Sequence, residues 1–317
     1  MTAADKRKFL ARFEAPAAAE AVMDIIVTPV EQRLIARLDQ KLFSAEELRR
    51  AGADALTLYK RGVINYAERD AGLFTFSDFY TRLDVFVIAE YETYRAFTKE
   101  TQKSLDEWYF SVYYERLHRA PDESPSGDAV ITRDEAVSRI NGETRQAYLA
   151  CCDCRILAGG YNGCAASLQT CISFRNGVNT IAHRGVSKPI AKDEAVRIII
   201  DADNAGLVHT ANQHTICHCC LDCCYLSRAR KRRDAELKAH LETQNAPYSS
   251  WPKVSKQIKA DWENCAACGV CEERCPFHLF SVAEKRVDGA RCIGCSLCVN
   301  ACPNRALSLE RISIEGA

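Results

Sequence analysis

The chain has 317 residues, of which 47% are hydrophobic, and its 42 basic and 42 acidic residues give a formal net charge of zero. This balance argues against a protein whose overall field attracts nucleic acid or an anionic membrane. No run approaches about 18 consecutive apolar residues, so no membrane span is predicted. The first twenty residues lack the charged and then apolar layout of a secretory signal, which favours a cytoplasmic location.

The first region begins with the pattern of three short helices. Apolar residues at helical spacing predict a helix over 34–42. A second helix is expected to begin at Ser44, because Glu47 completes a capping box. A third is expected over 54–61 and should end at Gly62, since glycine is a common helix terminator.

Two short strands are predicted after these helices, over 63–66 and 73–76, with a turn at Asp70–Gly72. The combined pattern is winged-helix-like. A DNA-reading helix would be rich in basic residues, whereas the candidate helix has only Lys60 and Arg61 at its end. We therefore expect residues 1–120 to form a docking or dimerisation domain through which the chain could oligomerise, and nucleic acid is not an expected partner.

Further along the chain, Ser77 is expected to cap a long helical stretch that reaches Tyr113. Residues 121–128, PDESPSGD, have the composition of a linker. Thr132 and Glu135 then form another capping box, which marks the start of the next region.

The distribution of the 18 cysteines separates the remaining chain into two further regions. None occurs before Cys151, ten lie between Cys151 and Cys224, and eight lie between Cys265 and Cys302. A reducing cytoplasm favours metal or cluster ligation over disulfides. The sequence therefore predicts a cysteine-rich module over 129–242 and a second cysteine-containing domain over 258–317.

The last region contains one cysteine spacing twice, C-x2-C-x2-C-x3-C-P. Each cysteine of the second copy lies 27 residues after its counterpart, which indicates an internal duplication. This spacing is typical of [4Fe–4S] ligation, in which three thiolates come from one tight loop and the fourth from the other copy. One predicted ligand set is Cys265, Cys268, Cys271 and Cys302. The other is Cys292, Cys295, Cys298 and Cys275.

Two glycines inside the repeated loops are candidate cofactor-contacting residues. Gly269 and Gly294 leave space near the cluster, and their amides could donate N–H···S hydrogen bonds that tune its potential. The alternative to two clusters is a zinc ribbon built from the cysteine pairs 268/271 and 292/295. That site would leave the other four duplicated cysteines without a role.

Residues 261 to about 312 resemble bacterial two-cluster ferredoxins, and the resemblance rests on the duplicated cysteine motif. It implies a pseudo-twofold α+β dicluster domain with short hairpins. The segments 287–289 and 306–310 fit the strands of such a domain.

The middle region has two groups of cysteines with a predicted helix over 192–205 and a short strand over 207–210 between them. The order C-x-C-R, two single cysteines, GLVH and C-x-C-C-x2-C-C is similar to ferredoxin-like iron–sulfur proteins of anaerobic metabolism. Cys151, His218 and Asp222 depart from that pattern. The resemblance implies electron transfer rather than a named reaction, and it places Arg155 near a cofactor. The matching residues are Cys152, Cys154, Arg155, Cys164, Cys171, Gly206, Leu207, Val208, His209, Cys217, Cys219, Cys220, Cys223 and Cys224.

Ten cysteines could hold two more clusters, which would give four clusters and about sixteen iron atoms in total. One division assigns Cys152, Cys154, Cys164 and Cys171 to a third cluster. The fourth cluster would take four of Cys217, Cys219, Cys220, Cys223 and Cys224. Neighbouring cysteines diverge, so ligands could also be exchanged between the two groups.

Other roles for the middle cysteines stay open at this stage. Some could be buried inert thiols, and a zinc site could use Cys217, Cys219 and His218. A cluster with one non-cysteine ligand could bind substrate. His183, His209 and His214 are expected to be structural hydrogen-bonding residues. The basic run 228–233 is interpreted as a solvated helix face, with docking to an acidic redox partner as the alternative.

The sequence has no nucleotide or flavin motif, so electrons must come from and go to other molecules. We therefore expect an α+β, multi-cluster electron-transfer protein that relays single electrons between a donor and a partner oxidoreductase or flavoprotein. A reductase with a catalytic, site-differentiated cluster in residues 151–224 is one alternative. A redox-sensing DNA-binding regulator and a purely structural metal protein are the others.

Overall fold

The computed structural model describes residues 1–38, 40–67, 70–119, 129–244 and 256–311. The chain forms two compact units, and helices and strands occur in both, as the α+β prediction requires. The first unit comprises Met1–Ala120, Tyr148–Gln169 and Ser173–Pro189. The second comprises Pro121–Ala147, Thr170–Ile172 and Ile190–Ala317. The predicted three-domain division stays a prediction, and its linker over 121–128 lies outside the described residues.

The elements before residue 120 are mostly short helices around one small sheet. In chain order they are α1 (Ala3–Arg12), a 3-10 helix (Ala17–Val22), α2 (Met23–Ile26), α3 (Pro29–Arg37), β1 (Phe43–Ser44), α4 (Ala45–Arg50), α5 (Ala55–Lys60), β2 (Ile64–Ala67), β3 (Asp70–Phe76), α6 (Phe79–Ala89), α7 (Tyr91–Arg95) and α8 (Lys99–Arg119). The sheet has the antiparallel order β1-β3-β2.

In the middle of the chain, strands alternate with four helices among the described residues. Its elements are β4 (Ala129–Ile131), α9 (Arg133–Gly142), β5 (Ala147–Cys151), α10 (Asp153–Asn162), β6 (Gln169–Ser173), β7 (Lys188–Ile190), α11 (Lys192–Asn204), β8 (Val208–Ala211), β9 (Thr215–Cys219) and α12 (Tyr225–Gln244). The final segment has β10 (Lys256–Ala260), α13 (Val270–Arg274), β11 (Phe280–Ser281), β12 (Arg286–Val287), a 3-10 helix (Gly289–Arg291), α14 (Leu297–Ala301) and β13 (Leu307–Arg311). Among the described residues, no helix combines the length and apolar character needed to cross a bilayer.

Local sequence signals place several helix ends where we expected them. The Ser44 hydroxyl accepts a hydrogen bond from the Glu47 amide, and the Glu47 carboxylate accepts one from the Ser44 amide. Thr132 and Glu135 make the same pair of bonds at α9. Because these caps involve residues only three positions apart, the sequence alone specifies them.

Three local predictions in the first region were wrong. The helix expected over 34–42 is α3, which begins at Pro29 and ends at Arg37. Asp70–Gly72 belongs to β3 rather than to a turn, because Asp70 already pairs with Ala67 across an irregularity in the ladder. The long helix expected from Ser77 is three helices, and Asp78 caps the first by accepting from the Thr81 amide. The Ser77 hydroxyl instead donates to the Gly62 carbonyl.

Helix α10 packs against α6 and α8 within the first unit. The Tyr94 hydroxyl donates to the Leu157 carbonyl across 3.1 Å, and the Tyr161 hydroxyl donates to Asp106 across 2.7 Å. Both bonds join residues that are far apart in the sequence. They hold the middle and the end of α10 against α7 and α8.

In the second unit, β4, β8, β9 and β6 are consecutive neighbours in one sheet. Helices α9 and α11 pack against each other beside it. The final segment pairs β10 with β13 in antiparallel register, with Ile258 opposite Leu309. Val208 of β8 packs with Ile293, Cys295 and Leu297, so this segment and the sheet share a hydrophobic core.

Candidate metal centre

Four cysteines line a first cavity in the final segment, whose empty space of about 410 Å³ includes space open to solvent. Three of them come from the first copy of the repeat and the fourth comes from the second copy. They are Cys265, Cys268, Cys271 and Cys302. The apolar wall of this cavity includes Trp262, Val282 and Leu307.

A second cavity of about 330 Å³ has the reciprocal composition. Three of its cysteines come from the second copy and one comes from the first, and they are Cys292, Cys295, Cys298 and Cys275. Ile258, Phe280 and Leu309 line its apolar side. The pairing of β10 with β13 and the contact between α13 and α14 bring each fourth cysteine to the other copy's loop.

Backbone amides approach three of the sulfur atoms. Those of Ala267 and Gly294 lie 3.4 Å from the Sγ atoms of Cys265 and Cys292, and that of Ala306 lies 3.3 Å from the Sγ of Cys302. Such N–H···S contacts favour the thiolate form. Gly294 is one of these donors. Gly269 lines the first cavity and precedes α13, where its carbonyl accepts from the Glu272 amide.

The two cavities differ in exposure. Cys268 is exposed and its three partners are half-buried, whereas Cys275, Cys295 and Cys298 are buried. Burial raises the pKa of Cys295 to about 12 and also raises the pKa of Cys298 and Cys292. Without a cation these thiols are therefore neutral, and metal binding must displace their protons.

The middle cysteines divide between the two units. Cys152, Cys154 and Cys164 belong to the first unit, while Cys171 and the group from Cys217 to Cys224 belong to the second. The ligand atoms of Cys152, Asp153 and Cys154 all lie within 4.8 Å of one another. Arg155 is buried in α10 and donates from Nη1 to the Ser167 carbonyl.

The second cysteine group follows β9. Cys217 and Cys219 lie two positions apart in this strand, so they project from one face and His218 from the other. The zinc site considered for these three residues is therefore not favoured. Nδ1 of His218 lies 2.7 Å from Nδ1 of His209 across the strand pair. Cys223 and Cys224 are buried, and Cys220 is half-buried, immediately before α12.

His183 and His214, the other two histidines expected to be structural, also make polar contacts. His183 Nδ1 lies 2.7 Å from the Tyr59 hydroxyl. His214 Nδ1 lies 3.4 Å from the Arg145 guanidinium.

Three acidic residues near these sites were not predicted. Asp153 was passed over because it stands between two cysteines. Asp84 and Asp203 gave no local signal, because their positions depend on contacts between distant parts of the chain.

Comparison with protein-family models identifies a 4Fe-4S binding domain over residues 285–308. The match includes all four cysteines of the second copy of the repeat. No match was found among curated proteins or among solved structures. The family match and the geometry of the cysteines therefore support [4Fe–4S] binding and an iron–sulfur role in electron transfer.

Proposed function

We propose that this chain transfers single electrons through two [4Fe–4S] clusters bound within residues 258–317. The observation that carries the proposal is the reciprocal sharing of cysteines by two neighbouring cavities. A zinc ribbon would not need eight cysteines arranged as two sets of four.

The residues of each cavity fit such a cluster. Four sulfur atoms could hold four irons, and amide donors would stabilise their negative charge. The clusters would supply reversible one-electron chemistry. The protein holds them, surrounds them with apolar side chains and limits contact with water.

The difference in exposure suggests where electrons enter or leave. The cavity containing Cys268 has an exposed ligand, so a partner can approach it closely. Three of the four cysteines of the other cavity are buried, and Ile293 and Leu297 of its lining pack with Val208, which favours a relay position inside the second unit. The external partner would be an oxidoreductase or a flavoprotein, because the sequence offers no nucleotide motif.

The ten middle cysteines are proposed to form further metal centres, and the total of four clusters remains our expectation. A catalytic centre in residues 151–224 stays the second candidate function. The proximity of the Asp153 carboxylate to two thiols favours it, because an oxygen ligand leaves a metal more open to exchange than a thiolate does.

A reductive titration of the anaerobically purified chain tests electron transfer. We expect each cluster to accept one electron, and the reduced chain to pass electrons to an external one-electron acceptor. Iron that binds without accepting electrons would indicate a structural metal protein. Substrate reduction by the isolated chain would favour the catalytic alternative.

A further inference from the structure

We propose that Cys152, Asp153 and Cys154 bind a single divalent metal ion, zinc or ferrous iron, through two sulfur atoms and one carboxylate oxygen. The site lies where β5 leads into α10, within the first unit. It goes beyond the proposed function and is independent of the two ferredoxin-type clusters. It specifies the kind of centre that one part of the cysteine-rich module would hold.

The positions of the ligand atoms fit one ion. All three lie within 4.8 Å of one another. Zinc binds sulfur at about 2.3 Å and carboxylate oxygen at about 2.0–2.2 Å, so two ligands of one ion can be separated by up to about 4.6 Å. Only small side-chain movements would therefore bring all three atoms onto one ion.

The backbone around the three residues is already fixed. The Cys152 amide donates to the Leu168 carbonyl across 2.7 Å, and its carbonyl accepts from the Ile156 amide across 3.0 Å. Cys152 is buried, while Asp153 and Cys154 are half-buried. The site is therefore ordered by the fold and still leaves a side for a further ligand such as water.

A second acid adjoins the site. Asp84 of α6 interacts electrostatically with Asp153 and accepts a hydrogen bond from Tyr109 of α8. The Tyr109 ring stacks on the Tyr80 ring, with 4.0 Å between the ring centroids. Arg184 offsets part of the negative charge. The negative charge of Asp84 adds to the attraction of this place for a cation.

The electrostatics of this region favour a cation. Two carboxyl groups and two thiols in a desolvated place repel one another when ionised, and a bound divalent ion removes that cost.

The same charge argument weighs against a cubane on this pair of cysteines. A cluster bound by thiolates is itself anionic, and Asp153 would add a further negative charge between two of its ligands. A single divalent ion with two thiolates and one carboxylate carries less net negative charge than such a cluster. The negative charge of Asp153 therefore favours a mononuclear site and disfavours a cluster.

Metal and sulfide analysis of the anaerobically purified full chain tests the proposal. A cubane contains equal numbers of iron and sulfide, so a filled site should add one zinc or iron per chain beyond the sulfide content. The Asp153→Asn variant should lose this excess with its sulfide unchanged. Asp134→Asn, which changes an exposed acid in the first turn of α9, is the matched control and should keep it.

The Asp84→Asn variant tests the supporting role of the second acid. It should retain the ion but lose it to a chelator roughly 10-fold more readily, because the change removes a nearby negative charge that attracts the cation. Retention equal to that of the unmodified chain would overturn this role.

Two results would overturn the site itself. One is equal metal and sulfide in the unmodified chain, and the other is an excess that persists in Asp153→Asn. Should that variant fail to fold, the zinc-loaded unmodified chain gives a separate measurement by X-ray absorption at the zinc edge. Two sulfur neighbours near 2.3 Å with oxygen neighbours near 2.0–2.2 Å would support the site, and a shell of four sulfurs would overturn it. Failure of the ferredoxin-type clusters would appear differently, as loss of sulfide.

Discussion

The side-chain amide of Asn300 donates a hydrogen bond to Oδ1 of Asp203 across 2.9 Å. Asn300 lies between two proposed cluster ligands, and Asp203 lies in the last turn of α11 with only 1% of its surface exposed. The Arg274 guanidinium donates to the Asp203 carbonyl, and His209 Nε2 lies 3.4 Å from its Oδ1. One buried acid thus connects α11 to both cysteine-containing helices of the final segment.

We expect Asp203→Ala to destabilise the second unit. The change removes an acceptor from a buried polar network, which costs about 1–3 kcal/mol for each polar group left without its bond. Thermal unfolding of the anaerobic protein would measure the effect. Asp201→Ala, at an exposed position on the same helix, should unfold close to the unmodified chain. Equal losses in the two variants would show that the network does not stabilise the fold.

The shared ligand sets predict an unusual pattern of cluster loss. Cys302→Ser should remove the cluster held by the distant Cys265, Cys268 and Cys271, at a cost of about four iron atoms. Combining it with Cys265→Ser should remove no more iron, whereas combining it with Cys292→Ser should remove both clusters. Iron and sulfide analysis distinguishes these variants. If the first pair lost both clusters, the crossed ligand assignment would be wrong.

Gly62 is predicted to be sensitive to substitution for two reasons. Its φ is +76°, and a Cβ there would lie 2.8 Å from Cγ2 of the buried Val85. We expect Gly62→Ala to lower the free energy of unfolding by the left-handed cost of about 1–2 kcal/mol and by a further 1–3 kcal/mol or so of overpacking. Gly52→Ala is the control, because Gly52 has φ +79° and no atom within 4 Å of an added Cβ. Denaturant unfolding should show the smaller loss for Gly52→Ala, and equal losses would remove the packing argument.

We expect no binding of duplex DNA in either oxidation state. Helix α5 has six residues, of which Leu58 and Tyr59 are buried, and the Tyr59 hydroxyl accepts from the Asn179 amide across 2.9 Å. A helix held in this way is poorly suited to reading bases. Fluorescence anisotropy with a labelled duplex at low and moderate salt measures binding directly. Affinity that falls steeply with salt would support the regulator alternative instead.

The sequence predicted features that depend on nearby residues. The caps at Ser44 and Thr132 involve side chains three positions away, and Gly206 follows the end of α11 because it can adopt its φ of +82°. The cysteines that line the two cavities are the two predicted ligand sets, which came from the duplication together with the crossed ligation typical of this spacing. Whether these cysteines ligate clusters remains a prediction.

Features that depend on long-range packing were missed. The hydrogen bond between Asn300 and Asp203 joins residues 97 positions apart, and no periodicity in the sequence predicts it. Asp84 approaches Asp153 only because α6 and α10 pack together. The break after α6 also escaped prediction, since the aromatic residues continue through it without a glycine or proline.

The optical and paramagnetic resonance spectra of anaerobically purified protein test the central claim most directly. We expect a brown protein whose broad visible absorption bleaches with dithionite, and whose reduced form shows the signals of two interacting [4Fe–4S] clusters. A colourless protein without labile sulfide, or one whose metal does not respond to dithionite, would contradict electron transfer through residues 258–317.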